Sequence, residues 1–514
     1  MKAFPIALLT FIIVFSVVML SDVSDAEDPG YITEGDFEYI VTSPTTVTVI
    51  DYFNNEEADV VIPAVVPGTT YNVTALDLSF YQECIHTITI PSSVESIENY
   101  CFPAPNLTTI SVAGGTHYSS VDGILFNYNQ SKLLKYPCGK TDTDYTVPDS
   151  VVEIGAFSFE NSNVHNVITK SGLVIIGNCA FYNASSLTQI AIPEESSLTM
   201  IGNNAFYNTG LTSINLTWEL SFIGSFAFQN TALETVYIPS NIEHIGEGAF
   251  AGCKSLKTFT SSGNTYAVID DVLCHTFNNI KTLAAYPGGK EGVKYTIPAD
   301  ISSIEPYAFY GTADLKEVVL DEKLTLIPEM AFYGCDSLET INFSKVSIIE
   351  NMAFDGCIRL TDVTFSDNLT YIGQASFSNT GIETVEIPST VTFIGIGAFS
   401  SCSELKSFTI VESSKATIES SAFIASYNLK NISIYSKDVI LNADSLSVGT
   451  SEDLKCTVDL LVPSGYSVPQ GVSDEFTTLN ISYIGERPYP YENIIGAVFC
   501  LIVIIGILYA VRQV

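Results

Sequence analysis

The chain has 514 residues, and 46% of them are hydrophobic, which is enough for a large core and too many for general disorder. Its 57 acidic residues outnumber 21 basic ones, so the net charge is −36 although only 15% of residues are charged. A surface this poor in lysine and arginine repels phosphate backbones, which argues against nucleic acid as a partner.

Residues 1–26 have the features of a secretory signal peptide. Lys2 precedes an uncharged apolar run from Phe4 to Leu20. Ser24 and Ala26 then occupy the two small-residue positions of a cleavage site. Removal after Ala26 is the expected outcome, and an uncleaved membrane anchor is the alternative.

Residues 27–72 predict a β-rich N-terminal cap. They contain alternating apolar runs such as "FEYIVTSPTTVTVIDYF" and the shorter "ADVVIP". A cap of this kind covers the first unit of a repeat array, whose apolar end would otherwise face water.

A unit centred on phenylalanine repeats through residues 73–434. Most intervals between successive phenylalanines are nearly equal, and only two are much longer. An alanine or another small residue usually precedes the phenylalanine, and an isoleucine usually lies five residues before it. The repeated positions are Phe80, Phe102, Phe159, Phe181, Phe206, Phe228, Phe250, Phe309, Phe332, Phe354, Phe377, Phe399 and Phe423.

The spacing within each unit predicts a solenoid. Several units end in Ile-Pro, and "LxxIxIP" is typical of a short strand that ends at proline, which cannot donate a ladder hydrogen bond. The segment from isoleucine to phenylalanine is expected to return as a loop or a short helical turn. One unit cannot bury its own apolar residues, whereas about 13 stacked units share a continuous core. We therefore expect a leucine-rich-repeat-like solenoid with short strands stacked ~4.8 Å apart.

The two long intervals, from Phe102 to Phe159 and from Phe250 to Phe309, contain a second kind of module. Residues 115–147 and 262–297 align with each other, with Tyr136 and Tyr286 each preceding a proline. Alternating apolar residues around turn-prone dipeptides predict β-hairpin insertions. Because the module occurs twice, we interpret it as a building block of the array.

The segment 435–491 lacks the repeated phenylalanine and predicts a β-rich C-terminal cap followed by a short extended stalk. Residues 494–511 form an uncharged apolar stretch. At ~1.5 Å per residue it crosses most of a ~30 Å hydrocarbon core. Glu492 and Arg512 flank it, which predicts a transmembrane helix with 512–514 in the cytoplasm and the bulk outside. A buried core helix is the alternative.

The unit "IPxxVxxIxxxAFxxCxxLxxIxI", with its "YPxGK…YTIP" modules, resembles the BspA-type (Treponema pallidum-type) leucine-rich repeat family of cell-surface proteins. The resemblance runs from Val73 to Ile434, which is most of the chain. It implies an extracellular array, and adhesion to host matrix or to other cells for some members. The family has no shared catalytic residues, so the resemblance implies neither an enzyme nor a cofactor.

The strand face opposite the core is the predicted partner-binding surface, since repeat proteins bind through such extended faces. The alternative is a solvated Thr/Ser ladder that only favours β structure. The candidate residues are Thr235, Tyr237, Lys257, Thr258, Glu317, Glu339, Thr340, Asp362, Glu383, Thr384 and Lys406. Tyr237 is the one aromatic residue among them, so a cluster of aromatic anchors is not expected. The two hairpin modules are the second candidate.

Cysteine and histidine spacing predicts no metal site and no catalytic site. Cys253, Cys335, Cys357 and Cys402 each follow their phenylalanine by three residues, a position that elsewhere holds Ser, Thr or Ala. We expect buried small side chains there, although a disulfide between Cys335 and Cys357 stays open. The sequence contains no CxxC, HExxH, GxSxG or phosphate-loop motif, and "GEGAFAG" at 246–252 is interpreted as a repeat turn.

Nine Asn-x-Ser/Thr sequons make glycosylation of an exported chain possible. Asn106 and Asn431 are expected to be sheltered at a strand face. The remaining candidates are Asn72, Asn129, Asn183, Asn215, Asn342, Asn368 and Asn480.

The sequence supports one main functional hypothesis and two alternatives. The main one is a single-pass, outward-facing repeat protein that recognises a partner protein or a glycan. The first alternative is a passive component of a cell-surface coat. The second is a surface hydrolase, for which no residue constellation is present.

Overall fold

The structure is a computed structural model that describes residues 30–484 except 55, 57 and 79–82. The predicted signal peptide, the transmembrane helix at 494–511, the tail at 512–514 and Phe80 lie outside the described residues. Within that part of the chain, no helix has the length and apolarity that a membrane span requires.

The regular secondary structure of the described residues consists almost entirely of short strands, which are joined by turns. The first are β1 (Tyr31–Glu34), β2 (Phe37–Ser43), β3 (Thr46–Tyr52), β4 (Ala58–Val61), β5 (Asn72–Leu76), β6 (Ile85–Ile90), β7 (Ser96–Ile97), β8 (Thr109–Val112), β9 (Tyr118–Val121), β10 (Ile124–Asn127), β11 (Lys132–Lys135), β12 (Asp144–Thr146) and β13 (Glu153–Ile154). Next come β14 (Asn166–Ile168), β15 (Ile175–Ile176), β16 (Gln189–Ala191), β17 (Met200–Ile201), β18 (Phe222–Ile223), β19 (Thr235–Ile238), β20 (His244–Ile245), β21 (Thr258–Ser261), β22 (Tyr266–Ile269), β23 (Val272–Phe277), β24 (Ile280–Ala285), β25 (Lys294–Thr296) and β26 (Ser303–Ile304). The last are β27 (Glu317–Val319), β28 (Leu326–Ile327), β29 (Thr340–Ile341), β30 (Ile348–Ile349), β31 (Tyr371–Ile372), β32 (Thr384–Ile387), β33 (Phe393–Ile394), β34 (Ser407–Ile410), β35 (Thr417–Ile418), β36 (Asn431–Ile434), β37 (Ile440–Leu441), β38 (Cys456–Pro463) and β39 (Thr477–Ile484).

The strands predicted from "LxxIxIP" stack as a parallel ladder, the long-strand ladder. Its sheets are β4-β6-β8, β12-β14-β16, β19-β21, β25-β27-β29 and β32-β34-β36-β38-β39. The strands β6, β19 and β32 each end at the isoleucine before a proline, as the missing proline N–H requires. Alternate residues of these strands are buried, which places one face of the ladder on the core.

The return segment forms a second ladder of its own, the short-strand ladder. It consists of two-residue strands, in which an outward residue is followed by the regularly spaced isoleucine or leucine. These strands pair in parallel in the orders β13-β15-β17-β18-β20 and β28-β30-β31-β33-β35-β37. The expected loop is therefore confirmed between the isoleucine and the phenylalanine, where the backbone forms turns, but the isoleucine itself lies in a strand, which was not expected. The described residues contain a single helical turn, a 3₁₀ turn at Glu452–Leu454. The period of the pattern could not distinguish a two-residue strand from a loop, because two residues carry no measurable alternation.

A third ladder runs through the turns that hold the phenylalanines. In most units the phenylalanine donates its N–H to the carbonyl just before the next phenylalanine, as from Phe159 to Ala180 O and from Phe181 to Ala205 O, both at 2.7 Å, whereas Phe102 donates to Leu78 O at 3.1 Å. In these units the residues two before and two after the phenylalanine have positive φ, and their N–H groups also point to the next unit. This alternation explains the glycine or asparagine two residues after the phenylalanine, because these types enter the left-handed region most easily.

The phenylalanine side chains form a buried column along the solenoid, in two stacks that run from Phe159 to Phe250 and from Phe309 to Phe423. Phe206 and Phe228 lie 5.3 Å apart with ring planes 4° from parallel, and Phe377 and Phe399 lie 5.5 Å apart at 3°. The described phenylalanines of the repeat are all buried. Each buried ring contributes about 1.5–3 kcal/mol from the area it removes from water. The predicted core is thus confirmed.

Each hairpin module contains a complete unit of the array. Its three strands, β9-β10-β11 or β22-β23-β24, are antiparallel, and the last strand pairs in parallel with the next short strand. Tyr136 then stacks on Phe159 at 4.9 Å, and Tyr286 stacks on Phe309 at 5.0 Å. The long intervals therefore arise because tyrosine takes the place of phenylalanine in one unit of each module.

The middle strand of each module is buried on both faces. In β10, Ile124 and Phe126 pack into one core cluster while Leu125 packs into the cluster before it. In β23, Leu273 packs into the central cluster, and its neighbour Val272 packs into the C-terminal one. The modules therefore stand where successive sections of the core meet.

The ladders continue into both flanking regions. β4 pairs with β6 and β5 pairs with β7, in parallel, while β1, β2 and β3 form an antiparallel edge. At the other end, β38 pairs with β36 and β39 pairs with β38, both in parallel. Leu446 is fully buried and its N–H donates to Val472 O, so leucine continues the turn ladder after the last phenylalanine.

The "GEGAFAG" segment is a repeat turn, as interpreted from the sequence. Gly248 has φ +61°, and a Cβ there would lie 2.5 Å from the Phe226 ring. The absent side chain lets Phe226 reach over this unit to Tyr307, whose ring centroid is 4.9 Å away.

Replacing Gly248 with alanine should lower the urea midpoint of unfolding more than replacing Gly334. Both glycines are left-handed, with φ +61° and +63°, so either substitution costs about 1–2 kcal/mol for the backbone. Only the Cβ at Gly248 also displaces an aromatic ring, since the Gly334 position has no atom within 4 Å. Equal midpoints for the two variants would contradict the packing of Phe226 on Gly248.

Candidate partner-binding surface

The outward side chains of the long-strand ladder form two rows across β14, β16, the segment 211–217, β19 and β21. Thr235 lies beside Thr258, and Tyr237 lies beside Thr260, in direct register. The segment 211–217 keeps the same order, because the Glu234 N–H donates to Thr212 O at 3.2 Å. We define the neutral face as Asn166, Ile168, Gln189, Ala191, Ser213, Asn215, Thr235, Tyr237, Thr258 and Thr260.

The neutral face contains no charged residue, although the chain carries a net charge of −36. Its edge is lined by Glu234 and Lys257, which are exposed. Two carboxylates also contact it at its ends, since Asn166 Nδ2 donates to Asp144 Oδ1 at 2.5 Å and Thr258 Oγ1 donates to Asp271 Oδ1 at 2.9 Å. Among the sequence candidates, the structure brings Thr235, Tyr237 and Thr258 together here. These three residues lie on neighbouring strands that are roughly 4.8 Å apart.

Four of the charged candidates, Glu317, Glu339, Glu383 and Lys406, lie on the second half of the ladder, and each contacts an oppositely charged side chain of a neighbouring unit. Lys316 Nζ is 2.8 Å from Glu339 Oε1, and Lys406 Nζ is 2.6 Å from Glu383 Oε2. Lys294 contacts Glu317 in the same way at 2.7 Å. Each pair joins two neighbouring units.

These ion pairs are exposed, so they stabilise the stack only weakly. A hydrogen bond from Lys316, together with its charge, lowers the pKa of the Glu339 carboxyl. The corresponding contact with Glu383 raises the pKa of Lys406. A binding role for these side chains would require the pairs to open.

The remaining candidates do not join the neutral face. Thr340 is exposed in β29, and Thr384 is exposed in β32. Asp362 lies between them in a segment without strand pairing, where the ladder is reduced to a single bridge between Phe343 and Phe365. The candidate surface is therefore divided into groups and is not one continuous strip.

Trp218 is an exposed aromatic residue that the strand pattern did not include. It is the only tryptophan of the chain, it is 58% exposed, and its carbonyl accepts a hydrogen bond from Asn241 Nδ2 at 2.7 Å. It follows the strand position of Asn215 by three residues, at the end of the neutral face. Tyr237 is 44% exposed one unit later. The signal was available in "LTWEL", where tryptophan replaces the usual small polar residue after the strand.

The four repeated cysteines are buried free thiols. Cys335 donates to Phe309 O at 3.0 Å and Cys357 donates to Phe332 O at 3.0 Å, so each thiol has a partner in the preceding unit. Burial raises the pKa of the Cys253 thiol to about 11. The expected ladder of small buried side chains is present, and the open Cys335–Cys357 disulfide is not formed.

Titratable side chains do not assemble a metal site within the described residues, where no group of three or more His, Cys, Asp or Glu could hold an ion. His275 Nε2 contacts Glu305 Oε1 at 2.5 Å, and the exposed His244 stacks on Phe222 at 4.8 Å. These are pairwise contacts between neighbouring units.

One buried ion pair lies beside the first module. Lys135 and Glu160 are 2% and 4% exposed, with Nζ and Oε2 3.8 Å apart. Burial raises the pKa of Glu160, and the charge of Lys135 opposes this shift. The second module has Ala285 and Tyr310 at the same positions, so the module forms without this pair.

The sequons are distributed along the ladders. Asn215 is exposed inside the neutral face, and its Nδ2 donates to Ile192 O at 3.3 Å. Asn342 makes two bonds to Leu320, accepting at 2.7 Å and donating at 3.2 Å. Asn106 and Asn431, which were expected to be sheltered, are both exposed.

The repeat matches a known family model described as the BspA type leucine rich repeat region. The matched residues are 74–140, 136–257, 291–406 and 343–447, which together cover more than half of the chain. The chain belongs to the BspA-type leucine-rich repeat family. The resemblance carried by the Phe-centred unit is confirmed.

Three solved structures similar to this BspA-type chain come from bacteria. A leucine rich cell surface protein from Faecalibacterium prausnitzii A2-165 has 25% identity, covers 79% of this chain and 95% of its own, and gives a TM-score of 0.46. The pneumococcal vaccine antigen PcpA has 18% identity, with 89% and 100% covered and a TM-score of 0.43. A T. pallidum leucine rich repeat protein has 18% identity, with 46% and 87% covered and a TM-score of 0.22. No match was found among curated proteins.

Iodoacetamide should leave Cys253, Cys335, Cys357 and Cys402 unmodified in the folded chain at pH 8 and label all four in 6 M guanidinium, because all four thiols are fully buried and out of reach of the reagent. Burial also raises the pKa of Cys253, Cys357 and Cys402, which disfavours their reactive thiolates. Mass spectrometry of digested protein, prepared without reductant, measures this. If Cys335 and Cys357 stayed unlabelled after denaturation and were recovered as two peptides joined by a disulfide, the free-thiol assignment would be contradicted.

Proposed function

We propose that this BspA-type chain is a cell-surface recognition protein that binds a partner protein or a glycan through the neutral face. The observation that supports this most is that the ten outward strand residues of five neighbouring units are all uncharged in a strongly acidic chain. A face of Thr, Asn, Gln and Tyr can exchange hydrogen bonds with a ligand without the cost of desolvating charges.

Two exposed aromatic residues support a binding role for this half. Tyr237 and Trp218 are 44% and 58% exposed, and aromatic side chains are enriched among residues that dominate binding energies. Sugar hydroxyls and peptide amides are both suitable ligands for the polar rows around them. Glycosylation of Asn215, in the same row as Tyr237, would cover this surface.

The extracellular placement is part of the proposal. It rests on the signal peptide expected at 1–26, on the apolar stretch at 494–511 and on membership of the BspA-type family, for which cell-surface exposure is the expectation. In this arrangement the solenoid, with its caps at 27–72 and 435–491, lies outside the cell. We propose no catalytic role and no cofactor.

A passive coat protein is the competing function. The cross-unit ion pairs of the second half of the ladder are consistent with a surface that serves stability alone. A hydrolase has no supporting group of residues in the part of the chain that the structure describes.

The full chain should bind a member of a panel of extracellular matrix proteins, surface glycans and whole cells in a saturable manner. Tyr237→Ser should weaken that binding about tenfold, the size expected for one exposed aromatic anchor. Tyr128→Ser is the matched control, because Tyr128 is 59% exposed on the first module, away from the long-strand ladder. Binding is measured by surface plasmon resonance and by cell attachment.

Saturable binding that is lost with Tyr128→Ser and kept with Tyr237→Ser would transfer the site to the hairpin modules. An absence of saturable binding to the whole panel would favour the coat function. Hydrolysis of any panel member would contradict both.

A further inference from the structure

The short-strand ladder carries an exposed apolar stripe on a different sheet from the neutral face. Leu326, Ile348, Tyr371 and Phe393 are direct neighbours in register on β28, β30, β31 and β33. Leu326 and Ile348 are 37% and 38% exposed, and the rings of Tyr371 and Phe393 stack at 5.0 Å. We call these four residues the short-strand stripe. Four consecutive apolar side chains on the solvent side of a ladder form a continuous patch, which is typical of an interaction site.

Two carboxylates lie beside the stripe. Glu329 and Glu350 line the same surface groove as Ile348 and Tyr371, a space of about 350 Å³. Glu350 Oε2 accepts a hydrogen bond from the Glu329 N–H at 3.0 Å. Neither carboxylate forms a salt bridge with a lysine, arginine or histidine in the part of the chain that the structure describes.

The electrostatic environment of this groove favours a cation. Partial burial raises the pKa of Glu329, and the negative charges of Glu350 and Glu247 raise it further. Each of these causes disfavours the ionised carboxylate, and a positive charge brought into the groove would offset them. On the long-strand ladder, by contrast, the three glutamates Glu317, Glu339 and Glu383 already contact lysines of neighbouring units.

The spacing of the stripe favours a helix as the occupant. Its side chains repeat once per unit, ~4.8 Å apart along the solenoid, so the four residues span roughly 14 Å. A helix lying along the stripe brings side chains to the same face once per turn, every ~5.4 Å, so its side chains stay close to those of the stripe over three turns. An extended peptide repeats its face every ~6.8 Å and falls out of step after one unit.

We propose that the short-strand stripe binds a cationic amphipathic α-helix of a protein partner. The apolar face of the helix packs on Ile348, Tyr371 and their neighbours, and its lysine or arginine side chains contact Glu329 and Glu350. A second copy of this chain is disfavoured, because two surfaces of the same acidic charge would face each other. This binding is independent of the neutral face.

The test uses a fluorescein-labelled leucine–lysine peptide of about 18 residues, or about five turns, designed as an amphipathic helix. It is titrated with the full chain in a fluorescence anisotropy assay. A scrambled peptide of the same composition keeps the charge but has no apolar face, so it measures charge attraction alone. A leucine–glutamate peptide keeps the apolar face and reverses the charge, so it measures how far binding depends on the sign of the charge. Ile348→Ser and Tyr371→Ser remove single stripe residues. Ile168→Ser is the matched control, because Ile168 is an exposed aliphatic residue of the neutral face, 42% exposed.

We expect the amphipathic peptide to bind at least about tenfold more tightly than the scrambled peptide, and Ile348→Ser to remove most of that advantage. Ile168→Ser should bind like the unmodified chain. The double variant Glu329→Gln and Glu350→Gln, which keeps an acceptor for the Glu329 N–H, should weaken the binding and reduce its dependence on salt.

Equal binding of the amphipathic and scrambled peptides would overturn the proposal, since it would indicate attraction between net charges only. Unchanged binding in both Ile348→Ser and Tyr371→Ser would also overturn it. Sedimentation that shows a dimer dissociated by Ile348→Ser would assign the stripe to self-association instead. None of these results depends on Tyr237, so this proposal and that for the neutral face can fail separately.

Discussion

The stacked aromatic column is the constraint on which the rest of the solenoid depends. From Tyr136 to Phe250 and from Tyr286 to Phe423, the ring of each unit lies nearly flat on the ring of the unit before it, with centroids 4.7 to 6.2 Å apart. This distance is close to the rise between neighbouring hydrogen-bonded strands. The column and the three hydrogen-bonded ladders therefore require the same distance between neighbouring units. Each unit is stabilised both by burial of its aromatic ring and by backbone hydrogen bonds to its neighbours.

Much of this arrangement could be predicted from the sequence. The near-constant interval between phenylalanines identifies the unit, and proline marks where a long strand such as β19 ends. The short strands could not be predicted, because a strand of two residues, such as His244–Ile245, has no periodicity to detect. The tyrosines of the modules were missed for a different reason. Tyr136 and Tyr286 fill the phenylalanine position, but a repeat defined by phenylalanine does not include them.

The candidate surface was predicted in outline and not in detail. Alternation along the strands identified the outward residues, such as Thr235 and Tyr237, because every second side chain faces away from the core. The ion pairs between outward side chains could not be predicted, because they depend on how neighbouring units align with each other across the ladder. Lys316 and Glu339 belong to different units and meet only when the units stack. Trp218 lies beyond a strand end, where alternation no longer indicates which way a side chain points.

The two exposed surfaces have different chemistry, and they follow from the same architecture. Each unit contributes outward positions to the long-strand ladder and one to the short-strand ladder, so substitutions in either row leave the core unchanged. On the neutral face these positions hold mostly uncharged polar residues, which suit hydrogen bonding. On the short-strand stripe they hold Leu326, Ile348 and aromatic residues next to carboxylates. One acidic solenoid can therefore present two separate contact surfaces.

Amide hydrogen exchange along the full chain tests the central claim, that the turns around the phenylalanine column form a ladder as regular as the strands. The N–H groups of Phe159, Phe181 and Phe206, each bonded to the next unit at 2.7 Å, should exchange as slowly as those of β19 and β32. Exchange of these three amides at the rate of an unstructured peptide, with the long strands still protected, would contradict it.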